Sequence, residues 1–216
     1  GPTMIRAAAK NYPGVLVLVD PADYSVVLDK IKEGTLKDED RKKLAQKAFQ
    51  HVAAYDTAIA SYLRGDSVDF PNELTLALSK KQDLRYGENP HQKAAFYSEV
   101  SVKPESNRGL AAAQQLWGKD LSYNNLIDAD AAWSTVTDFK ETAVAIIKHT
   151  NPCGLACHAD LVEAYRRAYK SDTVSAFGGI IALNRRLTIG VANEMANNFY
   201  EIVIAPDFDR DALEVL

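Results

Sequence analysis

The chain has 216 residues, of which 25 are basic and 29 acidic, a formal net charge of −4. This balance leaves no electrostatic footprint for nucleic acid or for an anionic membrane surface. No apolar run approaches the roughly 20 residues that a bilayer-spanning helix needs, and the first ten residues show no signal-type apolar core. The two cysteines, Cys153 and Cys157, stand close together and form no disulfide framework, which fits a reducing cytoplasmic setting. The length suits one large domain or two small ones.

Residues 3–11 read as the tail of a helix, with Asn11 and Pro13 as stop signals. Val15-Leu-Val-Leu-Val19 reads as a buried strand. Asp20-Pro21 then caps and opens a helix that uses Val26, Val27 and Ile31 and ends at Gly34. Thr35-x-x-Asp38 resembles a capping box at the start of a long helix. Its apolar positions, from Leu44 through Ala48, Val52 and Ile59 to Leu63, recur at three and four, so the helix is amphipathic and ends near Gly65. These segments predict the end of one unit (residues 1–34) followed by a helical connector (35–70).

The texture changes at Phe70-Pro71. Leu74, Leu76 and Leu78 alternate with polar neighbours, as in a half-buried strand. A polar loop follows over Leu84–Gln92, then a short strand at Ala94–Tyr97, a loop over 101–109 and a strand over Leu110–Leu116. Ser122-Tyr-Asn-Asn125 precedes a helix over about 126–139. Ala143–Ile147 is five apolar residues without a break, as in a strand buried on both faces of a parallel sheet. It ends in Lys148 and His149, then in the turn formers Asn151-Pro152 and Gly154. Asp160 caps a helix to Tyr169, Ser175-Ala-Phe-Gly-Gly179 leads into a strand Ile180–Leu183, Thr188 opens a helix to about Asn198, and Ile202–Ala205 is a further strand. The alternation predicts an α/β fold with a largely parallel or mixed sheet and helices on both faces. Residues 71–216 would form this domain, preceded by the tail of a second α/β domain. The abrupt start, and a helix over Asp211–Leu216 that has barely begun, predict a piece of a longer chain.

Several features carry chemistry. Lys148 and His149 place a cation and a titratable imidazole where a buried strand leaves its sheet, and ligands of open α/β sheets bind at that carboxyl end. They equally suit a merely solvated strand end. Pro152-Cys153-Gly-Leu-Ala-Cys157 resembles half of a zinc-deaminase signature, but has one residue too many between the cysteines. The H-x-E half is absent, since none of His51, His91, His149 or His158 has Glu two positions on. Cys153 with His149 is formally a nucleophile pair, with no third orienting group in sight. The glycines of 178 and 179 fit no dinucleotide or P-loop fingerprint; they suit close backbone approach. In the loop 84–92, Arg85 offers a planar fork for phosphate or carboxamide oxygens, Tyr86 a stacking ring, and His91 and Gln92 further donors. Ser122, Asn124 and Asn125 are helix caps that also suit a polar ligand. Lys10 sits where a cation complements a helix C-terminus.

Four segments together, Leu84-Arg-Tyr-Gly-Glu-Asn-Pro-His-Gln92, Ser122-Tyr-Asn-Asn-Leu-Ile-Asp128, Lys148-His-Thr-Asn-Pro-Cys-Gly154 and Ser175-Ala-Phe-Gly-Gly179, resemble one family. It is the bifunctional purine-biosynthesis enzyme that joins phosphoribosylaminoimidazolecarboxamide (AICAR) formyltransferase to IMP cyclohydrolase. The resemblance implies formyl transfer from the cosubstrate 10-formyltetrahydrofolate to the 5-amino group of AICAR, then ring closure to IMP. It implies a cytidine-deaminase-like fold without catalytic zinc, small-molecule substrates, a homodimer and a cytoplasmic location. By position, His149 matches the family's proton-accepting histidine and Lys148 the lysine that stabilises charge beside it. Arg85, Tyr86, Asn125, Gly178 and Glu201 match substrate-binding positions, and Lys10 matches the active-site lysine of the cyclohydrolase half. Residues 1–34 then resemble the end of the cyclohydrolase domain, and the folate-binding positions fall beyond Leu216. On this reading the 216-residue piece alone is inactive in both reactions. The rivals are a zinc deaminase on the same fold and a non-catalytic purine-nucleotide-binding module.

Overall fold

A computed structural model describes residues 1–65, 70–100 and 109–216. The loop expected over 101–109 therefore lies almost wholly outside the described residues, as does the end of the 35–70 connector. The described residues divide into two compact units, one built mainly from Gly1–Ser79, the other from Lys80–Ser98 and the chain from 109 to Leu216.

In the first unit, α1 (Pro2–Lys10) ends at Asn11, as its stop signals predict. Asp20 caps a short 3-10 turn, Pro21–Asp23, by accepting from the Ala22 amide at 3.0 Å. Helix α2 (Tyr24–Lys32) follows, and of its expected apolar positions only Val27 is buried. Helix α3 (Asp38–Arg64) is the long helix, ended by Gly65 at φ 67°. Its start lies two residues beyond the expected cap, where Asp40 Oδ2 accepts from the Lys37 amide at 3.0 Å. Ala45 and Ala48 of α3 pack on Ala9 of α1, and Val17 and Val19 cover the seam. The expected strand Val15–Val19 is not formed. Its backbone finds no ladder partner among the described residues, and its side chains serve the helix pair instead.

The expected strand through Leu74 and Leu76 is not formed either. Both are well exposed, so their alternation has no buried face, and β1 (Leu78–Leu84) begins later and pairs with β2 (Ala94–Glu99). Leu110–Leu116 gives a 3-10 turn at Gly109–Ala112 rather than a strand. Its alanine and glutamine run lacks the β-branched residues that fit a pleated surface.

The second unit is organised on a four-stranded sheet in the order β4-β3-β5-β6. Around it run α4 (Tyr123–Thr137), β3 (Ala143–Lys148), β4 (Asn151–Cys157), α5 (Leu161–Ser171), β5 (Gly179–Leu183), α6 (Ile189–Met195), β6 (Tyr200–Ile204) and α7 (Arg210–Val215). Ala143–Ile147 are fully buried, as the unbroken apolar run predicts. Val144 and Ile146, with Ile181 and Leu183 of β5, face a core that includes Tyr165, Val191, Met195 and Ala212. Ala145 and Ile147, with Ile180 and Ala182, face Ala129, Ala132 and Val136 of α4. Helices thus cover both faces, each strand supplying alternate residues to each.

The sheet is mixed. Only β5 and β6 run parallel; β3 runs antiparallel to both β4 and β5. The reason is β4, which the sequence disguises as a loop. Lys148 pairs with Asn151 and Ile147 with Pro152, so the chain reverses within two residues and returns as an edge strand. An edge position tolerates the missing amide of Pro152.

Two polar or small residues lock the packing. Asn184, just after β5, accepts from the Ala143 amide at 2.8 Å and donates to the carbonyls of Val136, Phe139 and Glu141 at 3.1, 3.0 and 2.7 Å. It thereby ties the C-terminal end of α4 to the start of β3. Gly154 of β4 lies directly under α5, and a Cβ there would overlap the Ala168 carbonyl oxygen. Gly154→Ala is expected to push α5 off the sheet and destabilise the fold by roughly 1–3 kcal/mol or more, read as a lower denaturation midpoint, with Ala156→Gly as a milder control.

Candidate active site

One end of the sheet gathers the site. Because β3 is antiparallel to β5, its C-terminal end lies beside the N-terminal ends of β5 and β6; Ile147 pairs with Ile180, and Gly179 with Tyr200. Lys148 and His149, Gly178 and Glu201 therefore emerge together. Lys148 and His149 stand at the carboxyl end of β3, as expected, while β5 and β6 present their N-terminal ends there. The N-terminus of α4 joins them there, through Asn125 and Asp128.

Asn125 is the hub. Ser122 caps α4, its hydroxyl accepting from the Asn125 amide at 3.2 Å, so the expected precursor Ser122–Asn125 is in fact the first turn of the helix. The Asn125 Oδ1 in turn accepts from the Ser122 amide at 3.1 Å and the Ser122 hydroxyl at 2.9 Å. Arg85 Nη2 approaches the same oxygen at 3.4 Å. With Oδ1 so occupied, Nδ2 is aimed outward and donates to Glu201 Oε2 at 2.7 Å. Ser122 is fully buried and Asn125 nearly so, which fixes the amide's orientation.

The 84–92 loop is stitched to α4 by its backbone. The Arg85 amide donates to the Leu121 carbonyl at 2.9 Å, and the Tyr123 amide to the Tyr86 carbonyl at 3.0 Å. The Arg85 guanidinium lies over the Tyr86 ring, 5.2 Å from its centroid, and keeps the rest of its fork exposed. Gln92 is occupied in closing the loop: its Oε1 accepts from the Asn89 amide at 2.9 Å.

Lys148 Nζ donates to the Phe177 carbonyl at 2.8 Å, which brings the cation beside Gly178. Gly178, at φ 69°, donates its amide to the Phe199 carbonyl at 2.8 Å. Asp172 stands behind, its carboxyl held below the usual range chiefly by the Ser175 hydroxyl and amide, with the Lys148 charge a lesser cause. His149 is exposed, at φ 53°, and Thr150 follows at φ 62°. For residues other than glycine this left-handed backbone costs on the order of 1–3 kcal/mol each and collects at functional sites.

Tyr86, Arg85, Asn125 and Glu201 are thus linked in series by contacts, with Lys148, His149 and Gly178 at the same sheet end. Lys10 belongs to the other unit, exposed in the last turn of α1. Sequence reasoning missed Asp128, whose Oδ1 accepts from the Thr150 amide at 2.7 Å. Its spacing of three from Asn125 on one helix was the available signal. Cys153 and Cys157 are strand residues of β4. The Cys153 thiol donates to the Ile146 carbonyl at 3.4 Å, and burial pushes its pKa up. Among the described residues no three His, Cys, Asp or Glu side chains converge as a metal site requires.

Residues 8–216 match a family model described as AICARFT/IMPCHase bienzyme. The chain belongs to that family. It is 55% identical to the bifunctional purine biosynthesis protein PurH of Bacillus cytotoxicus. It is 54% identical to the proteins of that name from Bacillus cereus and from Bacillus thuringiensis subsp. konkukian. All of this chain aligns in each case, and it spans 42% of the length of each of these curated relatives.

The Asn125–Glu201 contact gives a pH-dependent prediction. Asn125→Asp keeps the acceptor that Ser122 needs but sets a second carboxylate against Glu201. Like charges raise the folded-state pKa of one of the pair above its unfolded value, so stability is lost as pH rises through it. The expected melting deficit is about 1–3 kcal/mol at pH 8 and shrinks towards about pH 4; a deficit independent of pH would count against the contact.

Proposed function

We propose that this chain carries the AICAR-binding and proton-transfer residues of the formyltransferase half of the bifunctional enzyme, with residues 71–216 forming the start of that domain. Residues 1–34 close the IMP cyclohydrolase domain, with Lys10 as its active-site lysine, and 35–70 connect the two. The substrates are AICAR and the formyl donor 10-formyltetrahydrofolate, and the whole enzyme works as a cytoplasmic homodimer.

The amine of AICAR is conjugated with its ring and a poor nucleophile, so its attack on the formyl carbon needs a positioned base. His149 takes the amine proton as the new C–N bond forms. The bond from the formyl carbon to the folate N10 then breaks, and that nitrogen is protonated as it leaves. Lys148 stabilises negative charge on the formyl oxygen or the leaving nitrogen; among the described residues one of its three donors is engaged, with Phe177. Arg85 supplies its fork and Tyr86 its ring to the substrate. Asn125 and Glu201 offer a donor and an acceptor, and Gly178 allows close approach.

The observation that carries this reading is the strained backbone of His149, turned out beside Lys148 at the sheet end where Arg85, Asn125 and Glu201 converge. The test uses a full-length enzyme in which this chain replaces the matching stretch of the Bacillus cytotoxicus relative. His149→Ala is expected to lower kcat for formyl transfer by about 10²–10⁴-fold while KM for AICAR changes far less. Arg85→Ala is expected to raise that KM chiefly. Formyl transfer surviving His149→Ala at full rate would overturn the assignment.

A further inference from the structure

The hairpin that presents His149 holds one residue ill suited to its shape. A two-residue turn with φ above zero at both positions is the preserve of Asn-Gly and its kin, yet here it is His149-Thr150, at 53° and 62°. Thr150 is β-branched, the side-chain type least suited to that conformation. Two hydrogen bonds within the turn converge on one atom: the Thr150 hydroxyl and the Asn151 side-chain amide both donate to the His149 carbonyl at 2.7 Å. Both are local and travel with the turn. The bond that ties it to a separate element is the Thr150 amide to Asp128 Oδ1 at 2.7 Å. Asp128 stands on α4, whose first turn carries Asn125 and whose far end is clamped by Asn184. The carboxylate is therefore a fixed anchor, with a charged acceptor on a short bond.

We propose that Asp128 is a positioning residue, which holds the β3–β4 turn in its left-handed form and so sets where the His149 imidazole stands relative to the Asn125–Glu201 cluster. One helix then aligns both halves of the site: Asn125 for the substrate and, one turn on, Asp128 for the base. The proposal rests on the reading of His149 as the proton acceptor, but the hold on the turn has its own readout.

In the chimaeric full-length enzyme, Asp128→Ala is expected to abolish the protection of the Thr150 amide against hydrogen exchange. It is also expected to lower kcat for formyl transfer by roughly 10–100-fold, with KM for AICAR nearly unchanged. Asp128→Asn, which keeps an acceptor oxygen, retains most of both. The decisive comparison is a double-mutant cycle. Thr150→Gly adopts the turn without strain, so in that background Asp128→Ala costs several-fold less in kcat; this background also keeps the variant measurable if Asp128→Ala alone does not fold. Protection of Thr150 that survives Asp128→Ala, or an equal loss of kcat in both backgrounds, would overturn the proposal. Loss of protection with normal kcat would overturn it too. Failure of the base assignment shows separately, as full activity in His149→Ala.

Discussion

The second unit depends on the complete burial of β3. Its five apolar side chains are enclosed by α4 on one face and by α5 and the elements after it on the other, with β4 and β5 alongside. Such a strand offers no polar foothold along its length. Every polar group it contributes must come at its end, and the chain there changes from Ile147 to Lys148 and His149 in one step. Reversal within two residues keeps those groups at the rim. A longer loop would carry them away from the sheet into solvent. The abruptness of the hydrophobic boundary is thus what makes a compact polar site at this point.

Around that rim, orientation is achieved by saturation. The oxygen of Asn125 has three donors about it, so its amide nitrogen can face only Glu201. Amides are ambiguous recognition groups because either end can present itself, and a fully engaged oxygen removes the ambiguity. The cation at Lys148 is likewise steered by a carbonyl, that of Phe177, and among the described residues no carboxylate pairs with it.

Much of this was legible from residues alone, and the rest failed for identifiable reasons. Unbroken apolarity announced β3, and Asp160, Thr188 and Gly65 announced helix ends. Arg85, Asn125, Lys148 and His149 were singled out by the four-segment resemblance, since a helix cap and a solvated strand end account equally well for Asn125 and for the Lys148–His149 pair taken alone. Edge strand β4 was hidden, because Asn151, Pro152 and Gly154 are turn formers by intrinsic preference and are kept in a strand by pairing and by the close approach of α5. The same hidden strand decides between the largely parallel and the mixed sheet that the alternation allowed, in favour of the mixed one. Val15–Val19 failed in the opposite sense: β-branched residues suited to a sheet were given helices to cover. Asp128 escaped notice because its partner is a backbone amide, so that only its spacing of three from Asn125 pointed to it.

The clamp at Asn184 gives α4 a second identity. A helix of 15 residues extends about 22 Å, pinned at its C-terminal end by one side-chain amide and at its N-terminal end by the buried hydroxyl of Ser122. It is a strut, and struts rotate as wholes. A tilt of the whole helix would move Asn125 and Asp128 together, and with them the amide that faces Glu201 and the turn bonded to Asp128. A change on the remote side of the domain that tilted α4 would thus reach both residues at once rather than one of them.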